Sequence, residues 1–355
     1  MFSLQALKRS ARYELIRAGL EGTALALRTG LPLATGGRGV IFALHHVDPE
    51  TPARWVPNAW LSVTPAFLEE AIHTSLEQGL TPIALQDLPE RLADRRDTRR
   101  YVCFTLDDGY RDNARFAAPV FRRHAIPYTV FVTSGFVERS RSIWWKTAQE
   151  LVMKIDTVDL SPFGLDERVD TATPVAKVAL FDRLSKILNE APDEDVAITR
   201  LNVLAHAHGV DPLAITERLT MNASELAALA GDALARFGAH TLTHANLRKV
   251  DDARLRYEMT HSAAKVRDYV GVDPTTFAYP YGYPSAVGAR EVAAAQAAGF
   301  TAAVTTRPGL LSSSSREAPT ALPRVSLNGF YQRGRYVRAL LSGLPFWLRR
   351  ANARP

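Results

Sequence analysis

The chain has 355 residues, 46% of them apolar and 23% charged, and its 43 basic and 37 acidic side chains leave a net +6. That mixture excludes a collagenous or wholly disordered chain. The single cysteine, Cys103, excludes a disulfide framework, a multi-cysteine zinc site and an iron–sulfur cluster, so any metal must be held by carboxylates and the 9 histidines.

In chain order, residues 1–38 form a basic segment with six basic and two acidic side chains. Leu4, Leu7, Ala11, Leu15 and Ala18 fall at helical spacing with Lys8, Arg9, Arg12 and Arg17 between them. They predict an amphipathic basic helix, docked on the domain or lying at a membrane interface. Arg17, Glu21 and Arg28 interrupt the most apolar stretch, 15–34, as a membrane span and as a signal-peptide core, so export is not expected. After a glycine-rich break, 40–47 reads as a buried strand ending in His45-His46. Residues 65–78 read as a helix capped by Thr64 and stopped by Gly79. A strand at 101–106 runs into Asp107-Asp108-Gly109, followed by a helix at 112–124 and a strand at 127–133. Residues 139–231 read as a helical insertion with no convincing strand. Alternation then resumes with strands at 235–239, 276–279, 300–305 and 322–327 and helices at 251–270 and 286–298. Residues 328–355 form a basic tail with six arginines and no acid. The two ends therefore hold +10 and the middle −4, which argues against a nucleic-acid-binding core. Strands alternating with helices, with polar residues just past the strand ends, predict a parallel β/α barrel or doubly wound sheet with its chemistry at the C-terminal edge.

Three groups carry chemistry. Asp107 and Asp108 at a strand end would repel unless a cation or a shared proton compensates, the alternative being a plain Asx-turn before Gly109. His240 and His244, in His-Thr-Leu-Thr-His, can grip one metal from one turn, although such pairs also arise by chance. Two histidines and a carboxylate leave positions open for water and substrate; zinc fits them, without excluding cobalt, nickel or iron. His206 and His208 read as surface residues. Tyr279-Pro280-Tyr281-Gly282 is a strand running into a Pro/Gly turn, which would present a backbone N–H as an oxyanion donor.

Together and in this order, these groups resemble the motifs of the polysaccharide deacetylase family, the NodB-type domain of carbohydrate esterase family four. Thr105-Leu106-Asp107-Asp108-Gly109 is similar to T-F-D-D-G with Leu for Phe, His240–His244 to H-S/T-x-x-H, and Pro280-Tyr281-Gly282 to P-Y-G. The resemblance implies a distorted (β/α)7 barrel over 39–327, interrupted by the insertion at about 139–231, that removes N-acetyl groups from the amino sugars of a poly- or oligosaccharide or glycoconjugate. It implies Asp108, His240 and His244 as ligands of a divalent metal, most simply zinc. Asp107 would be the general base toward water, with the Tyr281 N–H and the metal on the oxyanion.

The chain departs from the family in several places. From Asp108 to His240 is 132 residues, which accommodates the insertion. The arginine that usually precedes P-Y-G is missing; Arg324 is the candidate replacement, or else a surface arginine. The aspartate–tryptophan motif has no clear match. No histidine follows His261, so the last strand cannot supply the general acid. A subgroup resembling exopolysaccharide deacetylases carries Y-H-x-V ahead of the first motif. Aligned with Leu44-His45-His46-Val47, it gives His45 the acid's role, as an imidazolium protonating the leaving amine. The alternative is two solvent-touching strand-end histidines, with His124 or Tyr110 as the next candidates for the acid. Two other readings are deformylation or deacetylation of a lipid-linked sugar and a glycan-binding module without catalysis. The expected location is cytoplasmic, with the basic ends peripheral at the inner face of the membrane.

Overall fold

A computed structural model describes residues 2–29 and 37–351. Its centre is an all-parallel sheet of short, largely buried strands, as a parallel sheet covered on both faces requires. These are β1 (Gly39–Leu44), β2 (Leu80–Pro82), β3 (Arg100–Leu106), β4 (Tyr128–Val132), β5 (Ala235–Ala239), β6 (Thr276–Ala278), β7 (Ala302–Val304) and β8 (Val325–Ser326). The path runs β7–β6–β5–β4–β3–β1–β8, with β2 beside the first half of β3. β8 pairs with Phe42 and Ala43 of β1, and Leu322 just before it bridges Val304 of β7, so the seven-stranded path curls back on itself as a distorted (β/α) barrel.

The longer helices are α1 (Phe2–Arg28), α2 (Pro65–Glu77), α3 (Trp144–Lys154), α4 (Pro174–Glu190), α5 (Glu194–Ala207), α6 (Pro212–Leu219), α7 (Ala223–Ala230), α8 (Asp252–Val270), α9 (Ala289–Ala297), α10 (Gly334–Leu341) and α11 (Leu344–Ala351). Helix α2 begins as its sequence dictates: Thr64 Oγ1 accepts from Phe67 N at 3.1 Å, with proline in the first turn. The insertion, α3 to α7, builds its own apolar core around Leu151, Leu180, Leu184 and Leu201.

The structure differs from the sequence reading in four places. The insertion does contain strand: Thr157–Asp159 and Arg168–Asp170 pair antiparallel. Only Val158 and Val169 are buried in that ribbon, too few to show an alternation. β2 was not foreseen, because Leu80-Thr81-Pro82 is too short to carry a period. The first strand ends at Leu44, and His46–Val47 pairs instead with Ser62–Val63. That break at His45 sends the two histidines different ways. The C-terminal tail is helical over α10 and α11, and α1 docks on it through Leu20 against Tyr331, Tyr336 and Ala339.

Barrel closure tolerates no side chain at the start of β1. Gly39 sits at φ +135°, and a Cβ there would lie 1.9 Å from the Tyr101 carbonyl of β3. Gly39→Ala is therefore expected to destabilise the fold by about 2 kcal/mol or more, measured by denaturant unfolding. An unchanged midpoint would mean that β1 and β3 separate there freely.

Candidate active site

β3 delivers Asp107 and Asp108 to the C-terminal edge of the barrel, where both are buried. Asp107 continues the strand, its N–H bonded to Leu44 O at 3.0 Å. Asp108 turns out of it in a left-handed conformation, φ 73°. Arg324, 1% exposed, clamps Asp107 from the run into β8, with Nη1 and Nη2 each 2.7 Å from a carboxylate oxygen. The guanidinium is fixed in turn by Thr305 O at 2.9 Å and Thr105 Oγ1 at 3.1 Å. Burial alone would raise the Asp107 pKa, but the Arg324 charge and its hydrogen bonds hold the carboxyl well below the usual range. Arg324 is thus a buried partner of Asp107 and not a surface residue.

Asp108 has no such cation. Burial first, then the neighbouring Asp107 charge, push its carboxyl up to about 8, against a hydrogen bond from the Tyr110 hydroxyl. Its Oδ1 is buried without a hydrogen-bond partner among the described residues and lies 3.5 Å from both His240 Nε2 and His244 Nε2. His240 leaves the end of β5 with its Nδ1 donating to Ala278 O at 2.6 Å, which turns the Nε2 lone pair toward Asp108. Burial lowers the pKa of both histidines, so both are neutral nitrogen donors. An orphaned carboxylate oxygen facing two neutral imidazoles fits a divalent cation, and the donor set suits zinc.

The loop carrying His244 is pinned by Glu258 of α8, which sequence reasoning missed. Its carboxylate accepts from Leu242 N (2.7 Å), Thr243 N (3.1 Å) and Thr243 Oγ1 (2.6 Å). Thr241 and His244 are both left-handed, φ 64° and 57°, a strained backbone that these bonds hold in place.

Tyr281 is also left-handed, φ 62°, in the turn after β6. Its hydroxyl donates to Glu194 of α5 and accepts from Trp144 Nε1 at 2.9 Å. Trp145 donates through Nε1 to Tyr110 Oη at 3.2 Å and sets its ring 4.7 Å from that of His244. Trp144, Trp145 and Glu194 thus make the insertion a wall of the site. Nothing in their spacing foretold this, although the adjacent tryptophans were a visible signal.

His45 and His46 part ways. His46 is buried, bonded through Nδ1 to Asp112 at 2.6 Å, with its ring tilted against that of Tyr110 at 3.7 Å. His45 is partly exposed, its ring edge-on to Trp60 at 6.3 Å, and it feels the charges of Asp107, Arg324 and His240. Burial pushes its pKa down to about 4, with the Asp107 charge opposing. His124 lies apart, paired with Glu69 at 2.7 Å and edge-on to His73. Glu69, His73 and His124 form a second potential ligand group, but Arg123 at 2.9 Å already neutralises Glu69. His206 is exposed, as read from sequence.

The polysaccharide deacetylase family profile matches residues 94–157 and 207–303, the gap falling within the insertion. Among solved structures, the chain is similar to the Streptococcus pyogenes deacetylase PplD in complex with acetate, at 14% identity over 85% of this chain and 97% of that one, TM-score 0.56. It is also similar to IcaB from Ammonifex degensii, at 17% identity over 85% and 98%, TM-score 0.52. A de-N-acetylase from Aggregatibacter actinomycetemcomitans matches at 11% identity over 84% and 98%, TM-score 0.52. Such low identities establish the fold. No curated protein matches the chain.

Removing one partner of the buried Asp107–Arg324 pair should leave an uncompensated charge. Arg324→Gln is expected to cost about 3–5 kcal/mol in urea unfolding, and adding Asp107→Asn should recover a good part of that. Additive losses in the double variant would contradict the pairing.

Proposed function

We propose that this chain, which belongs to the polysaccharide deacetylase family, removes N-acetyl groups from amino sugars of a poly- or oligosaccharide with the help of a divalent cation. Family members are hydrolases of the amide bond of N-acetyl sugars. The observation that carries the proposal is the orphaned Asp108 Oδ1 facing His240 Nε2 and His244 Nε2 at 3.5 Å, beside a second carboxylate already neutralised by Arg324. Those three side chains would hold the cation, zinc by donor type, which when bound acidifies a water and polarises the acetyl carbonyl.

The rest is the work of the chain's own residues. Asp107, kept ionised by Arg324, takes the proton of the attacking water on a carboxylate oxygen. Arg324 fixes the direction of that carboxylate and does not itself touch the substrate. The Tyr281 backbone N–H, held in its strained turn by the hydroxyl's bonds to Glu194 and Trp144, donates to the acetyl oxygen as charge develops there. His45 gives a proton to the leaving sugar nitrogen, which leaves as the amine, and takes up in turn the proton collected by Asp107. Acetate and a free amino sugar result, and Asp107 is again a carboxylate. A glycan-binding module without catalysis is disfavoured, since Asp107, Asp108, His240 and His244 are all retained.

Acetate release from a panel of N-acetylated oligosaccharides and lipid-linked sugars tests the activity and its substrate class; release from none of them would overturn it. Asp108→Ala and His244→Ala are expected to lose bound metal, whereas Asp107→Asn keeps the metal and loses activity. Equal metal loss in all three, read by elemental analysis, would break that division of roles. His45→Ala is expected to lower kcat by about 10²–10⁴-fold with metal content unchanged, and His46→Ala to lower it far less. A near-normal kcat in the His45 variant would remove it from the mechanism.

A further inference from the structure

Helix α1 packs against α10 and α4 and leaves a second apolar stripe in water. Leu20 is buried against α10, and Thr23 and Ala24 are buried beside it, while Ala11, Leu15, Ala18, Gly22 and Leu25 recur every three or four residues on the opposite side, all exposed. Leu15 is 74% and Leu25 64% exposed, and α11, which touches α1, exposes Trp347 at 58%. A docked helix ordinarily turns such a stripe inward. Here the inward side is held instead by Glu21, which accepts from Arg335 at 2.6 and 2.9 Å.

The charge beside the stripe identifies its occupant. Arg12, Arg17 and Arg28 on α1 are exposed, and the two ends of the chain carry +10 against −4 for the rest. Apolar side chains flanked by arginines, of which Arg17 is paired with Glu14 at 3.4 Å, match the acyl boundary and anionic headgroups of a bilayer. They suit a second copy of the chain less well, because its α1 would bring the same arginines. No helix among the described residues is long and apolar enough to cross a membrane, so the contact would be one of lying on the surface.

The docked side of α1 is joined to the loops that border the site. Tyr13 packs on Phe330 at 4.8 Å and accepts, through its carbonyl, from the Tyr331 hydroxyl at 3.0 Å. Gly329 N bonds Trp60 O at 2.9 Å, and the Trp60 ring meets His45 at 6.3 Å. The loops after β1 and β8 therefore connect α1 to the site. We propose that α1, with Trp347, is a peripheral docking surface for an anionic phospholipid bilayer.

The test is sedimentation of the full chain with phosphatidylglycerol-containing vesicles and with pure phosphatidylcholine vesicles. Binding to the anionic vesicles at low salt, lost as salt is raised, is expected. Leu15→Glu/Leu25→Glu should weaken it on the order of tenfold or more. The same variant should release acetate from a soluble N-acetylated oligosaccharide at the parent rate, which separates failure of docking from failure of the catalytic reading. Absence of binding at low salt, equal binding to both vesicle types, or undiminished binding of the double variant would each overturn the proposal. So would a dimer without vesicles that the double variant dissolves, since the stripe would then be a contact between copies.

Discussion

Two adjacent carboxylates buried at one strand end set the terms for the rest of this structure. Neither Asp107 nor Asp108 has water enough to carry its charge alone, and each raises the energy of the other. The chain answers the first with Arg324, whose guanidinium is spent on Asp107, Thr105 and Thr305. It answers the second with two neutral imidazoles, which cannot cancel a charge but can share a cation with it. In the proposed reaction the asymmetry separates the roles: one carboxylate stays ionised to take a proton, and the other is a ligand.

That arrangement depends on closure of the barrel. Arg324 lies between Leu322, which bridges β7, and β8, which pairs with β1. The residues that finish the sheet therefore also place the guanidinium against β3. Around it, Asp108, Thr241, His244 and Tyr281 all adopt left-handed backbone, each at a cost of order 1–3 kcal/mol that the surroundings must offset. Glu258 holds one of these loops, and Glu194 and Trp144 hold the Tyr281 side chain. Two of those three supports come from the insertion, which is thereby part of the site's stiffness.

Much of this was legible in the sequence because the chemistry sits where periodic segments stop. The strands before Asp107, His240 and Tyr281 are short apolar runs, and the polar residues after them had to share one edge of a parallel sheet. Arg324 was visible only as a candidate, since 217 residues separate it from Asp107 and only sheet closure brings them together. Glu258 was hidden inside a helix whose pattern announced nothing beyond amphipathicity. The spacing of Leu4, Leu7, Ala11, Leu15 and Ala18 identified a helix with an apolar stripe, yet not that its Ala11, Leu15 and Ala18 portion faces away from the protein.

The central claim is that Asp108, His240 and His244 together hold a divalent cation while Asp107 stays with Arg324. A crystal of zinc-loaded protein, with anomalous scattering recorded across the zinc edge, tests it most directly. The account predicts an anomalous peak within bonding distance of Asp108 Oδ1, His240 Nε2 and His244 Nε2, with the Asp107–Arg324 pair intact. A peak confined to Glu69, His73 and His124, or none between the two histidines and Asp108, would contradict it.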